Sequence, residues 1–325
     1  MHADHARTIA AILWILDEAG RPLGSTKIAR SLRAVGIDLA ERMVRNYLAE
    51  TDEQGLTVNL GRRGRDLTPR GREELAAAGA ARKIGFVDAR GEELAYRMTF
   101  DPRRGRGTVI LNLSSVPRDR LGDARRAMEP VVRARLGMGR LGLVDASAAG
   151  VPGLPSGGDD AVIGTVCAIT LNGLLRAAGV PTVSRFGGLL EMQDRVPRRF
   201  THIIEYAGTT LDPIEIFIKA GMTRVAEAAC TGGGIIGASF REVPAVALPQ
   251  VHKVVERMDA VGLGGMVVVG DPSRALAEIP VGQGRAGLIV AAGLNPVAAI
   301  HESGIPTENR AMARLCEFGE LQPLV

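Results

Sequence analysis

The chain has 325 residues, a formal net charge of +4, and 46% hydrophobic but only 3% aromatic residues. This length predicts two or three domains with mainly aliphatic cores, and so small a charge does not by itself indicate a nucleic-acid partner. Three cysteines, Cys167, Cys230 and Cys316, lie far apart without a C-x-x-C pair, which argues against a disulfide scaffold or structural zinc and favours a reducing cytoplasm.

The apolar residues near the N-terminus predict a helix of a globular domain rather than a targeting segment. The run Ile9–Leu16 is followed at once by Asp17 and Glu18, with no small-residue cleavage site. The best uncharged candidate for a membrane span, Ala286–Ile300, contains an Asn295-Pro pair and is short for a bilayer. We therefore expect a soluble, cytoplasmic protein with no membrane partner.

The segment Gly24–Gly71 predicts a winged helix-turn-helix, which we place in a domain at residues 1–80. Ser25 is a suitable N-cap for a second helix, Thr26–Ala34, and Gly36 suits the turn after it. Apolar residues at helical spacing predict the first helix: Ile9, Ile12, Leu13 and Leu16.

A third helix, Ala40–Gln54, is the predicted recognition helix. Its expected core face consists of Met43, Val44, Tyr47 and Leu48. Its opposite face carries Arg42, Arg45, Asn46 and Ala49. In the major groove Arg can bond guanine bidentately and Asn can bond adenine, while small residues permit close approach.

The residues after Gly55 predict a basic wing. Leu56–Leu60 alternates like a strand, and Gly61–Arg65 is expected to form a flexible hairpin tip. Five arginines and one acid lie between Gly61 and Arg72. Thr68 could cap a further helix that starts at proline 69 and continues towards residue 78. Such a wing lies against phosphates and contributes salt-dependent affinity.

We interpret this domain as binding a double-stranded DNA operator. The residues expected to contact DNA are Ser25, Thr26, Lys27, Arg42, Arg45, Asn46, Arg62, Arg63 and Arg65. The alternatives are a solvated helical domain with ordinary surface arginines, a winged domain that contacts proteins, and one that binds RNA as in a ribonuclease.

Residues 81–325 change to strands with short helices, and the chain repeats itself. Gly107–Pro117 is similar to Gly234–Pro244, an offset of 244 − 117 = 127 positions, and each is followed by a helical stretch and a Gly-rich turn. Asn172 aligns loosely with Asn295, an offset of 295 − 172 = 123. We expect repeats at about 84–190 and 201–314 that form two lobes about a pseudo-twofold, with a cleft suited to a small ligand.

No catalytic motif is evident. Gly282–Gly287 fits G-x-G-x-x-G, but a strand-like run follows it where a dinucleotide site requires a helix. The pair Asp159-Asp160 is typical of a solvated turn, and the histidines His202, His252 and His301 have unrelated contexts. We expect no enzymatic activity, no metal and no cofactor.

Glycine-rich stretches with hydroxyls and arginines stand out instead. Backbone N–H groups and a guanidinium can share one anion, so such stretches suit a carboxylate. Tight turns with arginines paired to nearby acids explain them equally well. The residues expected to bind a dicarboxylate effector are Thr165, Cys167, Arg185, Thr209, Thr210 and Arg241.

These stretches carry a family resemblance. The front domain resembles the winged helix of ribonuclease R in Val44–Leu48 and in the wing from Gly55 to Gly64. The remainder resembles the effector domain of NrpR, the nitrogen-responsive transcriptional repressor best known from archaea. The motifs that carry this resemblance are Gly164–Gly173, Ser184–Gly188, Ile204–Pro213 and Ala238–Pro244.

The resemblance implies a homodimeric repressor of nitrogen-assimilation genes that 2-oxoglutarate releases from palindromic operators. It also implies that Cys167, in the family's Thr-Val-Cys motif, matters for the response. Some family members have two effector domains in tandem, whereas this sequence shows one. The fold class expected is therefore α+β, a winged helix followed by an internally duplicated α/β effector domain. The alternative functions are an enzyme acting on an anionic metabolite, fused to a winged helix, and an RNA-associated winged-helix protein.

Overall fold

A computed structural model of the protein describes residues 2–34, 37, 39–77, 87–147, 154 and 160–325. The chain divides into two compact units, Met1–Ile84 and Gly85–Val325. Gly36, Asp159 and the expected end of the fourth helix at residue 78 lie outside the described residues. Each unit has its own hydrophobic core.

The first unit has the element order of a winged helix. Its helices are α1 (His2–Ala19), α2 (Ser25–Ala34), α3 (Glu41–Glu53) and α4 (Pro69–Ala77), and its two strands are β1 (Thr57–Asn59) and β2 (Arg65–Leu67). The strands pair antiparallel, and a short 3-10 turn, Gly61–Arg63, connects them. The core collects apolar residues that recur at helical spacing, including Ile12, Leu16, Val44 and Leu48.

One residue of α3 differs from its expected position. Met43 is 45% exposed, whereas Thr51 is fully buried. The buried residues Val44, Leu48 and Thr51 recur every three or four positions and define a single stripe that excludes Met43. Thr51 can be buried because its hydroxyl donates to the Leu48 carbonyl at 3.0 Å and lies 2.8 Å from the Thr57 hydroxyl. The expectation that Met43 faces the core is therefore wrong.

The second unit contains seven helices and ten strands in its described residues. The helices are α5 (Val87–Arg97), α6 (Leu121–Arg133), α7 (Ile169–Ala177), α8 (Pro213–Lys219), α9 (Val225–Thr231), α10 (Leu248–Ala260) and α11 (Asn295–Glu302). The strands are β3 (Thr108–Pro117), β4 (Leu141–Ser147), β5 (Asp160–Val166), β6 (Val183–Gln193), β7 (Val196–Glu205), β8 (Gly234–Pro244), β9 (Met266–Val269), β10 (Arg285–Ala291), β11 (Glu308–Glu317) and β12 (Gln322–Pro323).

The order of these elements confirms the duplication. The series β3, α6, β4, β5, α7, β6 recurs as β8, α10, β9, β10, α11, β11. Two five-stranded antiparallel sheets result, in the orders β7-β6-β8-β10-β9 and β11-β3-β5-β4-β12. The last strand of each half crosses to the other sheet, where β6 pairs with β8 and β11 pairs with β3. Neither half can therefore complete its sheet alone.

The Gly-rich turns of the two halves meet each other. Gly139 forms an antiparallel bridge with Leu263, and the Arg140 N–H donates to the Gly262 carbonyl at 3.0 Å. Gly139 has a φ of +106°, and a Cβ there would lie 2.5 Å from the Gly262 oxygen. Glycine is required at this position because both the backbone conformation and the close approach exclude a side chain.

Equivalent hydrogen bonds in the two halves correct the loose alignment of Asn172 with Asn295. The Thr170 hydroxyl accepts from the Ile110 N–H at 3.2 Å, just as the Asn295 Oδ1 accepts from the Gly237 N–H at 2.9 Å. Thr170 is therefore the counterpart of Asn295, at an offset of 295 − 170 = 125. The sequence match was two residues out because asparagine occurs in both helices at different positions.

Asn295 joins the two halves. It is fully buried, and its Nδ2 donates to the carbonyls of Leu136 at 2.6 Å and Gly237 at 2.8 Å. Together with the bond from the Gly237 N–H, the amide group links the Gly-rich turn after α6 to β8.

We predict that Asn295→Ala lowers the free energy of unfolding of the second unit by about 2–3 kcal/mol, because it leaves buried backbone groups without partners. Urea titration followed by circular dichroism measures the loss. Fluorescence of Trp14, the single tryptophan, reports separately on the first unit and should not change. The control Gln322→Ala, at an exposed position, should change stability by less than about 0.5 kcal/mol. An equally small effect of Asn295→Ala would contradict the prediction.

Candidate functional site

The outer face of α3 presents the predicted DNA-reading residues together. Arg42, Arg45, Asn46 and Ala49 are all exposed, and Met43 joins them. The Arg45 Nη2 lies 2.5 Å from the Glu41 Oε1, and its Nε donates to the Ser25 hydroxyl at 3.4 Å. The hydrogen bond from Arg45 lowers the pKa of the Glu41 carboxyl. The Glu41 contact lies within α3 and the Ser25 contact reaches α2, while the Arg45 side chain stays 66% exposed.

Ser25 connects the first two helices of the helix-turn-helix. It begins α2, and its hydroxyl donates to the Glu41 Oε1 at 3.0 Å. The hydroxyl therefore ties α2 to α3. Thr26 and Lys27 are exposed in the first turn of α2.

The arginines of the wing differ in exposure and in ion pairing. Arg62 and Arg63 are exposed in the turn between β1 and β2. Arg65 lies within β2, where its Nε contacts the Asp52 Oδ2 at 2.8 Å and its side chain is only 19% exposed. The expectation that Arg65 lies at a flexible tip is therefore wrong. The ion pair fixes the wing to the end of α3, and it arises because strand pairing turns Arg65 towards that helix.

A cavity of about 320 Å³ lies between the two halves of the second unit. Equivalent positions of both halves line it: Asn112 and Ser239, Cys167 and Ala292, Ala168 and Gly293. Gly293 shows how closely the halves approach, because a Cβ there would lie 2.0 Å from the Val166 carbonyl oxygen. The predicted cleft between lobes is thus present, on the pseudo-twofold.

Arg241 supplies a fully buried positive charge to the cavity wall. Its Nε donates to the Asn172 Oδ1 at 2.6 Å, its Nη1 to the Ser239 hydroxyl at 2.6 Å, and its Nη2 to the Ala168 carbonyl at 3.1 Å. All three acceptors are uncharged, and burial lowers the pKa of the guanidinium. Within the described residues no carboxylate forms an ion pair with Arg241. A buried guanidinium without a counter-ion favours an anionic ligand.

Cys167 lies beside this charge, just before α7 begins. Burial raises the pKa of its thiol to about 12, although N–H groups of Ile169 and Met312 and the charge of Arg241 oppose that shift. Met312 has a φ of +49° where the register of β11 against β3 shifts, and its N–H also donates to the Asn112 Oδ1 at 3.1 Å. The irregularity in β11 therefore brings a backbone donor to the thiol.

Tyr206 and Asp212 complete the polar part of the wall. Burial raises the pKa of both the Tyr206 phenol and the Asp212 carboxyl. Asp212 caps α8, because its Oδ1 accepts from the N–H groups of Ile214 at 2.9 Å and Glu215 at 3.2 Å. The carboxylate is thereby engaged by backbone donors rather than by Arg241.

The cavity contains two of the six predicted effector residues, Cys167 and Arg241. Arg185 pairs with Glu242 at 2.7 Å, and the Thr209 hydroxyl bonds the backbone of Leu211. Thr165 is buried next to Asn112, at 3.4 Å from its Nδ2, and does not line the cavity; nor does Thr210. For Arg185 the paired-arginine alternative is the observed one.

Sequence reasoning missed several wall residues. Ser239, Tyr206 and Asp212 lie inside the glycine-rich stretches, and Asn112 lies inside the repeated strand, so the sequence indicates their motifs but not their roles. The α5 residues of the wall, Val87, Asp88, Gly91 and Glu92, carry no motif that could have indicated them.

Comparison with known proteins agrees with this arrangement. The family described as the ribonuclease R winged-helix domain matches residues 10–75. The family described as NrpR regulatory domains NRD1 and 2 matches residues 84–323. The chain is 32% identical to the global nitrogen regulator NrpRI of Methanosarcina mazei over 319 residues, which is 98% of each chain. The chain belongs to the NrpR family.

Two further relatives set the extent of this likeness. The global nitrogen regulator NrpR of Methanococcus maripaludis is 28% identical over 96% of this chain, but the match spans only 54% of that longer protein. The crystal structure of a nitrogen repressor-like protein from Methanococcus jannaschii is 26% identical, has a TM-score of 0.62, and covers 73% of this chain and 97% of its own. These NrpR relatives support a nitrogen-responsive regulator of transcription. Among the described helices, none is long and apolar enough to cross a membrane.

We predict that iodoacetamide at pH 8 modifies Cys230 and spares Cys167. Cys230 is exposed, whereas Cys167 and Cys316 are buried, and burial raises the pKa of each buried thiol to about 12. Because the thiolate is the nucleophile, both buried groups stay protonated and unreactive. Peptide mass spectrometry should find one carbamidomethyl group per folded chain and three after unfolding in urea. Rapid labelling of Cys167 in the folded protein would contradict the prediction.

Proposed function

We propose that this protein is a homodimeric repressor of nitrogen-assimilation genes that leaves its operator when 2-oxoglutarate binds the cavity. The observation that carries the proposal is the buried Arg241 guanidinium, which faces a cavity with neutral partners only among the described residues. Its setting in an NrpR-family chain with a winged helix supports a regulatory rather than a catalytic use.

A carboxylate is the chemical group that best matches Arg241. Three of its five N–H donors are used by Asn172, Ser239 and the Ala168 carbonyl, and two remain on Nη1 and Nη2. Ser184 and Tyr206 offer further polar atoms in the same wall. A small acid with a second oxygen-bearing end, such as 2-oxoglutarate, can use the guanidinium and these groups together.

The winged helix supplies the DNA contacts of this proposal. Arg42, Met43, Arg45 and Asn46 project from one exposed face of α3, which suits the major groove. Arg62 and Arg63 on the wing meet phosphates and add affinity without reading bases. Arg65 acts indirectly, because its ion pair with Asp52 positions the wing.

In a homodimer, an effector can weaken DNA binding by changing the distance between the two winged helices. Two protomers present two winged helices at a spacing that matches a palindromic operator. An effector that binds better to an arrangement with a different spacing shifts the population away from DNA, by no more than its differential affinity for the two arrangements.

A gel-shift assay tests the proposal. Duplexes from the protein's own upstream region and from neighbouring nitrogen-assimilation genes are mixed with protein, with and without 2-oxoglutarate. We expect a sequence-specific complex that dissociates as 2-oxoglutarate is added. A confirmed complex that 2-oxoglutarate leaves unchanged would remove this effector from the proposal, and no complex with any duplex would remove the repressor.

We predict that Arg45→Ala and Arg63→Ala weaken DNA binding in different ways. Loss of Arg45 should cost about 1–3 kcal/mol on the operator and little on random DNA, because a base contact is removed. Loss of Arg63 should weaken binding to both and reduce the slope of log K against log salt by about 1. Fluorescence anisotropy at several salt concentrations measures both, with Arg97→Ala of the second unit as control. Identical behaviour of the two variants would refute this division of roles.

We predict that Arg241→Met lowers the affinity for 2-oxoglutarate roughly 10- to 150-fold, since a charge-assisted hydrogen-bonding group is lost. Operator binding should persist without the ligand response. Isothermal titration calorimetry measures the affinity, and Arg241→Lys, which keeps the charge, should lose less. The control is Arg199→Met, an exposed arginine paired with Glu191. Unaltered affinity in folded Arg241→Met protein would exclude this cavity as the effector site.

A further inference from the structure

Helix α5 forms one wall of the effector cavity. Val87, Asp88, Gly91 and Glu92 line the cavity, and their spacing of one and four residues places them on one helical face. In sequence, residues 78–86 alone separate α5 from α4 of the winged helix. The helix is therefore both a wall of the cavity and the first described element after the DNA-binding unit.

The charged side chains of the cavity wall lie at different depths. Its positive charge, Arg241, is fully buried, and the wall acid Asp212 is held by the backbone N–H groups of Ile214 and Glu215. Asp88 is half-buried and Glu92 is exposed, so these two acids lie towards the mouth. In the described part of the chain neither acid forms an ion pair with a basic side chain, and the Asp88 carboxylate accepts only the neighbouring Ala89 N–H at 2.7 Å.

A few directional contacts join α5 to the rest of the unit. The Val87 N–H donates to the Thr209 carbonyl at 2.9 Å. The Arg90 Nε and Nη2 both donate to the Met312 carbonyl, at 3.0 and 2.8 Å. Met312 itself lines the cavity and donates to Asn112. These contacts of Val87 and Arg90, in the first half of α5, thus begin at residues in or next to the effector site.

We infer that Asp88 and Glu92 determine which ligands release DNA, by repelling the second carboxylate of a dicarboxylate anchored at Arg241. This inference rests on the proposed function and adds which class of carboxylate releases the protein from DNA. Arg241 takes one carboxylate at the buried end, and the other then lies towards the acids of α5. Like charges in a partly buried site repel more than they do in bulk water. The dicarboxylate therefore binds better when α5, the first described element after the winged helix in the chain, is displaced.

A monocarboxylate of the same length should bind without this effect. 2-Oxopentanoate retains the carboxylate and the ketone of 2-oxoglutarate but ends in a methyl group. It can occupy Arg241 and leave α5 in place, because nothing charged faces Asp88 and Glu92. Ligand binding therefore needs one carboxylate at Arg241, whereas release of DNA needs a second carboxylate near Asp88 and Glu92.

The test uses the full-length double variant Asp88→Asn/Glu92→Gln and a duplex selected from a random pool by the wild-type protein. With wild type, saturating 2-oxoglutarate should weaken DNA binding roughly 5- to 150-fold, the usual range of coupling between two sites. With the double variant, calorimetry should show equal or tighter 2-oxoglutarate binding, and the weakening of DNA binding should fall below about twofold. The control is Glu93→Gln, an exposed acid on α5 that pairs with Arg97 and should behave as wild type.

Hydrogen exchange of residues 87–97 provides a second measurement. 2-Oxoglutarate should speed exchange of the Val87 amide in wild type but not in the double variant, and 2-oxopentanoate should do so in neither. If the double variant binds 2-oxoglutarate and still releases DNA like wild type, this inference is wrong and the proposed function stands. If wild type does not bind 2-oxoglutarate, both are wrong. Release of DNA by 2-oxopentanoate would also overturn the inference.

Discussion

The exchange of the last strand between two repeated halves is the constraint on which the second unit depends. Because β6 pairs with β8 and β11 pairs with β3, each sheet contains strands from both repeats. The halves cannot separate without breaking sheet hydrogen bonds, so the strands on either side of the space between them stay in place. A preformed cavity of about 320 Å³ on the pseudo-twofold follows from this topology.

The two halves repeat one order of elements, whereas their residues at the cavity differ in chemistry. Arg241 corresponds to Ser114, at the same offset of 241 − 114 = 127 that relates Ser239 to Asn112. Cys167 corresponds to Ala292. A guanidinium at both positions would place two buried like charges near one axis, which is strongly unfavourable. One arginine with neutral partners instead gives the cavity a single positive end, and a ligand therefore has a single preferred orientation.

The winged helix could be predicted from sequence because its signals are local: apolar spacing, glycine turns and a capping threonine at position 68. Where prediction failed there, at Met43 and Arg65, tertiary contacts decided which side of an element faced the core. The residues that line the cavity were predicted only in part for the same reason. Arg241 and Arg185 look alike in sequence, yet one meets neutral groups and the other meets Glu242. Helix α5 lines the cavity because the fold places it there, since nothing in its own residues indicates a ligand.

The position of α5 gives the proposed coupling a physical limit. If effector and DNA bias the same helix, thermodynamic linkage requires each to weaken the other by the same factor. DNA-bound protein would then bind its effector less tightly than free protein. The effector concentration needed for release would rise with operator affinity, so that strong operators respond later than weak ones. One cavity and one helix are sufficient for such a graded response, because the grading comes from the DNA and not from additional effector sites.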